Sequence, residues 1–84
     1  MTETDRQLLR PVLDYGGEYV FKRTGHRPAD LGDFARCAER LFVLERNGYL
    51  NIAKTVLDDT RPGTCYTHIH VRLTSDGRRG LGMP

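Results

Sequence analysis

Two stretches decide the fold, Leu44-Glu45-Arg46-Asn47-Gly48-Tyr49-Leu50 and Val71-Arg72-Leu73-Thr74-Ser75-Asp76-Gly77-Arg78-Arg79-Gly80-Leu81. The first has the charged residues and the glycine stop of a helix C-terminus, followed by the apolar start of a strand. The second has the alternation of a strand that runs into a Thr or Ser cap. Two strand-like runs lie between them, around the turn Asp58-Asp59-Thr60-Arg61-Pro62-Gly63. The predicted order is therefore helix, hairpin and cap.

The strands of the hairpin are predicted at residues 50–57 and 65–73. Because side chains alternate along a strand, the second strand has an apolar face and a polar face. The apolar face consists of Cys65, Thr67, Ile69, Val71 and Leu73, and the polar face of Tyr66, His68, His70 and Arg72. The first face suits a core, and the second suits water or a ligand. Beyond the second strand, only residues 78–81 could add a helical turn.

A long helix is predicted before the hairpin, at residues 31–47, with Asp30 or Asp33 as its cap. Its apolar residues follow a three-and-four spacing that predicts one buried stripe, formed by Phe34, Cys37 or Ala38, Leu41 and Leu44. Phe42 and Val43 extend the apolar surface beyond that stripe. One of them at least should therefore be exposed, where it could contact another protein.

Two shorter elements are predicted nearer the N-terminus. A helix at residues 5–15 would begin with a capping box at Thr4-Asp5-Arg6-Gln7 and bury Leu8, Leu9, Val12 and Leu13. Pro11 would kink this helix or delay its start. A second helix is predicted at residues 18–24, with a strand as the alternative because Tyr19, Val20 and Phe21 favour extended backbone.

Length and composition restrict the classes of protein to which this chain can belong. The 84 residues carry 13 basic and 11 acidic side chains, a net charge of +2, so DNA affinity would need local basic patches. Two cysteines are too few for a disulfide scaffold. The polar start of the chain predicts no signal peptide, and the longest apolar run, residues 41–44, is too short to cross a membrane. We therefore expect a reduced, cytoplasmic, single-domain protein of 84 residues.

The chain resembles a winged helix-turn-helix domain of PadR-like and MarR-like regulators, from about Leu8 to Leu81. Residues 17–25, Gly17-Glu18-Tyr19-Val20-Phe21-Lys22-Arg23-Thr24-Gly25, resemble the second helix of that family. Residues 44–50 resemble the end of its recognition helix, and residues 71–81 its last strand and Leu-Thr-x-x-Gly-Arg corner. The resemblance implies an α+β fold with three helices and a C-terminal hairpin wing.

The resemblance also implies a dimeric reader of double-stranded DNA. The third helix would enter the major groove and the wing would lie on the backbone. The helix residues facing DNA would be Asp33, Arg36, Glu39 and Arg40, and the wing would contribute Thr60, Arg61 and Thr64. A homodimer would form through the first helix or the C-terminal tail.

The basic residues themselves allow two interpretations. Arg36 and Arg40 could donate bidentate hydrogen bonds to guanine edges or to phosphates. They could equally be paired on a solvated helix face, Arg36 with Asp33 or Glu39, and Arg40 with Glu39 or Asn47. A cluster of basic residues around the start of the third helix could hold phosphates, or it could be an ordinary solvated surface. The cluster consists of Lys22, Arg23, His26 and Arg27. Arg61 could clamp the backbone or belong to a plain turn.

The sequence gives little indication of metal binding or catalysis. His68 and His70 do not have the spacing of a zinc site, although they could line a partner surface. No Ser-His-Asp grouping, phosphate loop or nucleotide fingerprint occurs, so we expect no enzyme, no cofactor and no metal. The sequence therefore favours a small DNA-binding regulator. The rival is a protein-interaction module on the same fold that contacts its partner through Phe42 and Val43.

Overall fold

The computed structural model describes residues 1–60 and 65–82. Its elements follow the order α1 (Glu3–Asp14), β1 (Glu18–Lys22), α2 (Pro28–Arg46), β2 (Leu50–Leu57), β3 (Tyr66–Leu73) and α3 (Ser75–Gly80). The α+β class, the long helix and the hairpin are as predicted. A single helix separates β1 from β2, so the order is not that of a winged helix-turn-helix. The third helix of the fold is α3, which follows the hairpin.

The prediction of a helix at residues 18–24 is wrong, and the alternative prediction of a strand is correct. Residues 18–22 form β1, which pairs antiparallel with β3 and sets Tyr19 opposite Val71 and Phe21 opposite Ile69. The rings of Tyr19 and Phe21 lie edge to face, with centroids 4.9 Å apart. Aromatic and β-branched side chains pack well on a half-buried sheet, and here that preference decides the backbone.

The first helix begins earlier than predicted. Its N-cap is Thr2, whose hydroxyl oxygen accepts from the Asp5 backbone N–H at 3.1 Å, while the Asp5 carboxylate accepts from the Thr2 N–H at 3.1 Å. The capping box predicted from Thr4 to Gln7 is therefore wrong by two residues. The helix continues through Pro11 to Asp14.

The predicted start of the long helix at residue 31 is one turn late. Proline at the first helical position, Pro28, already has the backbone angle that a helix needs. The N-cap is Arg27, so the prediction of Asp30 or Asp33 as the cap is wrong; Asp30 lies at the third helical position, where its carboxylate accepts from the Arg27 backbone N–H at 3.2 Å. The helix ends at Arg46, and Gly48 turns the chain with a left-handed φ of 85°.

The two stretches that decide the fold meet in space at Thr74. Its hydroxyl donates to the Gly48 carbonyl at 2.6 Å and accepts from the Gly77 N–H at 3.0 Å. Thr74 thus caps α3 and ties it to the end of α2. Since this cap starts the helix at Ser75, α3 begins three residues before the turn predicted at residue 78.

The three strands form one antiparallel sheet in the order β1–β3–β2. Register shifts between Ile52 and Lys54 and between Val56 and Leu57 bend β2 along β3. Helices α1 and α2 cover one face of the sheet, where the core is built from Leu9, Val12, Phe34, Ala38, Leu41, Leu44, Leu50, Ile69 and Val71. The helical stripes predicted from spacing supply six of these nine residues. Within the described residues, none of the helices is both long and apolar enough to span a bilayer.

Candidate functional site

Arg40, predicted to face DNA, is bound to Asp5 of α1. Its Nε donates to Asp5 Oδ1 at 2.5 Å and its Nη2 donates to Asp5 Oδ2 at 2.7 Å. Asp5 is only 1% exposed. The hydrogen bonds from Arg40 hold the pKa of Asp5 below its usual range, against the opposing effect of burial. Neither Glu39 nor Asn47, the partners considered from the sequence, takes this role.

Arg23, from the predicted phosphate cluster, is also committed to a carboxylate. Its Nη2 donates to Asp58 Oδ2 at 2.8 Å and lies 3.3 Å from His26 Nδ1. The side chains of Arg23 and Asp58 are 5% and 7% exposed. Hydrogen bonds from Thr60, and then from Arg23, lower the pKa of Asp58. Within residues 1–60 and 65–82, Arg23 Nη1 has no hydrogen-bond partner.

Two further predicted cations form ion pairs on the exposed part of α2. Arg27 binds both carboxylate oxygens of Asp30, at 2.9 and 3.1 Å. Arg36 binds Asp33, which is one of the two partners considered from the sequence. Each basic group thus has a carboxylate one helical turn away, which lowers the local positive potential.

The remaining predicted DNA contacts do not join these into one patch. Lys22 is exposed at the end of β1, opposite His68. The Thr60 hydroxyl donates to Asp58 at 2.5 Å. Arg61 and Thr64 lie outside the described residues. Arg27, the N-cap of α2, and Arg36 within α2 are both exposed, whereas Arg23 and Arg40 are bound to Asp58 and Asp5.

A concave surface runs along α2. We call it the α2 groove, and its volume is about 480 Å³. Its lining residues come from α2, the end of β1 and the start of β3, and they are Arg23, Leu31, Phe34, Ala35, Ala38, Glu39, Phe42, Val43, Arg46, Cys65 and Tyr66. A volume of this size lies within the range of ligand sites, and most of the lining is apolar.

Phe42 and Tyr66 form one side of the α2 groove. Their ring centroids lie 5.8 Å apart, with the rings tilted by 46°. The predicted polar face of β3 included Tyr66, but this contact brings the ring to α2, next to the irregular pairing of Tyr66 with Leu57. Phe42 and Val43 are half-buried, as expected of apolar residues outside the core stripe.

Sequence reasoning found only part of the α2 groove. Phe42 and Val43 were singled out because they widen the apolar stripe of the helix. Arg23, Cys65 and Tyr66 carried no such signal, because their place in the groove depends on where β1 and β3 lie beside α2. Only the tertiary structure brings these segments together.

His68 and His70 do not assemble a metal site. His68 Nδ1 lies 2.9 Å from the Thr67 hydroxyl, and His70 Nε2 lies 3.7 Å from Glu18. In the described part of the chain, no three His, Cys, Asp or Glu side chains converge in a way that could hold a metal ion.

No protein-family profile, no curated protein and no solved structure matches this chain.

Proposed function

We propose that this chain is a protein-interaction module that holds an apolar segment of a partner protein in the α2 groove. The observation that carries the proposal is the groove itself, an apolar surface along α2 that borders the core at Phe34 and Ala38. An exposed apolar surface of this kind is typical of a contact site.

The lining specifies the chemistry of the partner segment. Leu31, Ala35 and Val43 lie along the helix, with the Phe42–Tyr66 ring pair beside them. An amphipathic helix with apolar residues three and four positions apart would place its side chains into this row. Burying its apolar face would supply the main free energy of binding, at about 25 cal/mol per Å² of apolar surface.

Charged groups at the groove would fix the orientation of the segment. Glu39 and Arg46 lie on α2 seven residues apart and contribute one charge of each sign. Arg23 in the wall has one donor, Nη1, without a partner in the described residues. That donor is buried within the wall, so the charges accessible to a partner segment are those of the exposed Glu39 and Arg46.

The test begins with a phage-displayed library of 16-residue peptides, selected on the full chain, and calorimetry of the peptides obtained. We expect peptides with three-and-four apolar spacing, whose affinity falls at least tenfold for Val43→Asp. The matched control is Val56→Asp, which places the same charge at an exposed valine of β2. Equal loss of affinity in both variants, or none in either, would contradict the proposal.

The groove could instead be covered by a second copy of the chain. Sedimentation across a range of concentrations separates the two cases. We expect no self-association that depends on the groove. A dimer abolished by Val43→Asp and retained by Val56→Asp would replace the partner protein with a second copy. The homodimer through the first helix or the tail stays a separate prediction.

Binding of duplex DNA through the exposed arginines at α2 is a second proposal. Its support is the exposure of Arg27 and Arg36, whose side chains are 82% and 74% exposed. Ion pairs this exposed are weak and exchange easily for phosphate contacts. A salt series with random duplex DNA tests it, and Arg27→Gln with Arg36→Gln should weaken binding. Absence of binding at 20 mM salt, roughly the lower range of such assays, would exclude it.

A further inference from the structure

The face of the sheet opposite the helices is uncovered. Because side chains alternate, the residues between the core positions of each strand point outward. The pairing register sets them in rows across the three strands. Lys22, His68 and Val56 form one row, and Val20, His70 and Lys54 form the next. We call this surface the outer sheet face.

The outer sheet face carries positive charge. Lys22 and Lys54 lie on the two edge strands, on either side of the imidazoles of β3. Among the outward strand residues that the structure describes, the one carboxylate is Glu18, and its Oε1 accepts from Arg72 Nε at 2.7 Å. Neither lysine has a carboxylate partner within residues 1–60 and 65–82, so both are available to an anion.

The surface is also shaped to receive flat groups. A shallow depression of about 250 Å³ is lined by Val20, Lys54, Val56, His68 and His70. A second depression shares Val20 and His70 with it and passes Glu18 and Lys22 around the edge strand β1 to Tyr15 and Tyr19. The two together form a continuous track across the strands.

Tyr15 provides an aromatic ring at one end of this track. Its side chain is 73% exposed, which is unusual for so large an apolar group. The ring lies 5.3 Å from that of Tyr19, which supports it from one side. The high exposure of Tyr15 leaves much of its surface available to a stacking partner.

We propose that the outer sheet face binds single-stranded nucleic acid. Lys22 and Lys54 contact phosphates, and bases stack on Tyr15 and lie against the imidazoles and valines between the lysines. Cations with an exposed aromatic ring are the combination that single-strand binding surfaces use. An acidic peptide would use the lysines but would gain nothing from the exposed Tyr15 ring. This site is separate from the α2 groove, which lies on the helical side of the sheet.

The test is fluorescence anisotropy of a labelled 15-nucleotide oligothymidylate with the full chain, in a salt series that starts at 20 mM. We expect Lys22→Gln with Lys54→Gln to weaken binding at least tenfold. The slope of log affinity against log salt should fall by about 1.4, since each lost phosphate contact removes about 0.7. Tyr15→Ala should weaken binding at least fivefold with no change in that slope, because stacking carries no counterion release.

The control for lost charge is Arg6→Gln with Arg10→Gln, which removes two cations from α1. We expect it to bind like the wild type. The proposal is overturned by absence of binding at 20 mM salt, or by equal losses in the sheet variant and the α1 variant. It is also overturned if poly-glutamate of matched charge displaces the oligonucleotide as well as unlabelled oligothymidylate does, or if a duplex of the same length binds more tightly and is weakened equally by Lys22→Gln with Lys54→Gln.

Discussion

Asp5 and Arg40 join α1 to α2 through two hydrogen bonds, of 2.5 and 2.7 Å. Asp5 also caps α1 by accepting from the Thr2 N–H. One carboxylate therefore fixes both the start of the first helix and its position against the second. This double role directs Arg40 toward α1 rather than toward a ligand.

Asp5→Ala should destabilise the fold. The substitution removes the reciprocal cap and leaves Arg40 without its partner, at a cost of about 2–3 kcal/mol. Equilibrium unfolding in urea measures it. Glu3→Ala is the matched control, because Glu3 is an exposed carboxylate in the same helical turn. An equal loss of unfolding free energy in the two variants would mean that the Asp5–Arg40 contact does not stabilise the fold.

Stability should fall in acid. The pKa values of Asp5 and Asp58 are lowered in the folded chain. Their contribution is therefore fully present above the unfolded carboxyl pKa, about 3.9, and is lost as pH falls through the folded values. Urea unfolding from pH 7 to pH 2 should show a loss below about pH 4. Asp5→Asn should reduce that loss, and an unchanged pH profile in this variant would contradict the role of Asp5.

Arg23→Met should raise the pKa of Asp58. The guanidinium bond is one of the causes that lower this pKa, and the hydrogen bonds from Thr60 remain in the variant. The expected pKa therefore moves toward the ordinary value without reaching it. Carboxyl carbon shifts in an NMR titration measure the change, with Lys22→Met as the control one residue away. A pKa of Asp58 that is identical in the two variants would show that Arg23 does not act on it.

The two cysteines should differ in reactivity. Burial raises the pKa of the Cys37 thiol, so little thiolate forms near neutral pH. Cys65 lines the α2 groove. We expect a maleimide reagent to label Cys65 first, and a peptide bound in the groove to slow that labelling and leave Cys37 unaffected. Single Cys→Ser variants identify each site. Faster labelling of Cys37 than of Cys65 would contradict the expected order of reactivity.

The sequence predicted those parts of the fold that depend on local spacing. The buried stripe of α2, the hairpin and the Asp33–Arg36 pair all join residues within a few positions of each other or within one hairpin. The identity of β1 was missed because its partner β3 lies far along the chain, and local propensity allowed both a helix and a strand. The capping box was misplaced because Thr2 and Thr4 both offer a hydroxyl, and only the contact with Arg40 distinguishes them.

The candidate sites were predicted less well for the same reason. Arg23 and Arg40 each bind a carboxylate 35 positions away. No spacing rule connects residues so distant, so the sequence offered Arg40 only the local partners Glu39 and Asn47, and offered Arg23 none. The α2 groove likewise needs β1 and β3 to lie beside α2 before its wall exists.

The central claim is that the α2 groove binds a partner segment. The most direct measurement is a titration of the ¹⁵N-labelled full chain with a library-selected peptide, followed by amide chemical-shift changes. We expect the changes to cluster at Leu31, Ala35, Val43 and Tyr66 and to be absent at Lys54 and His70. Changes confined to the outer sheet face, or spread evenly over the chain, would contradict it.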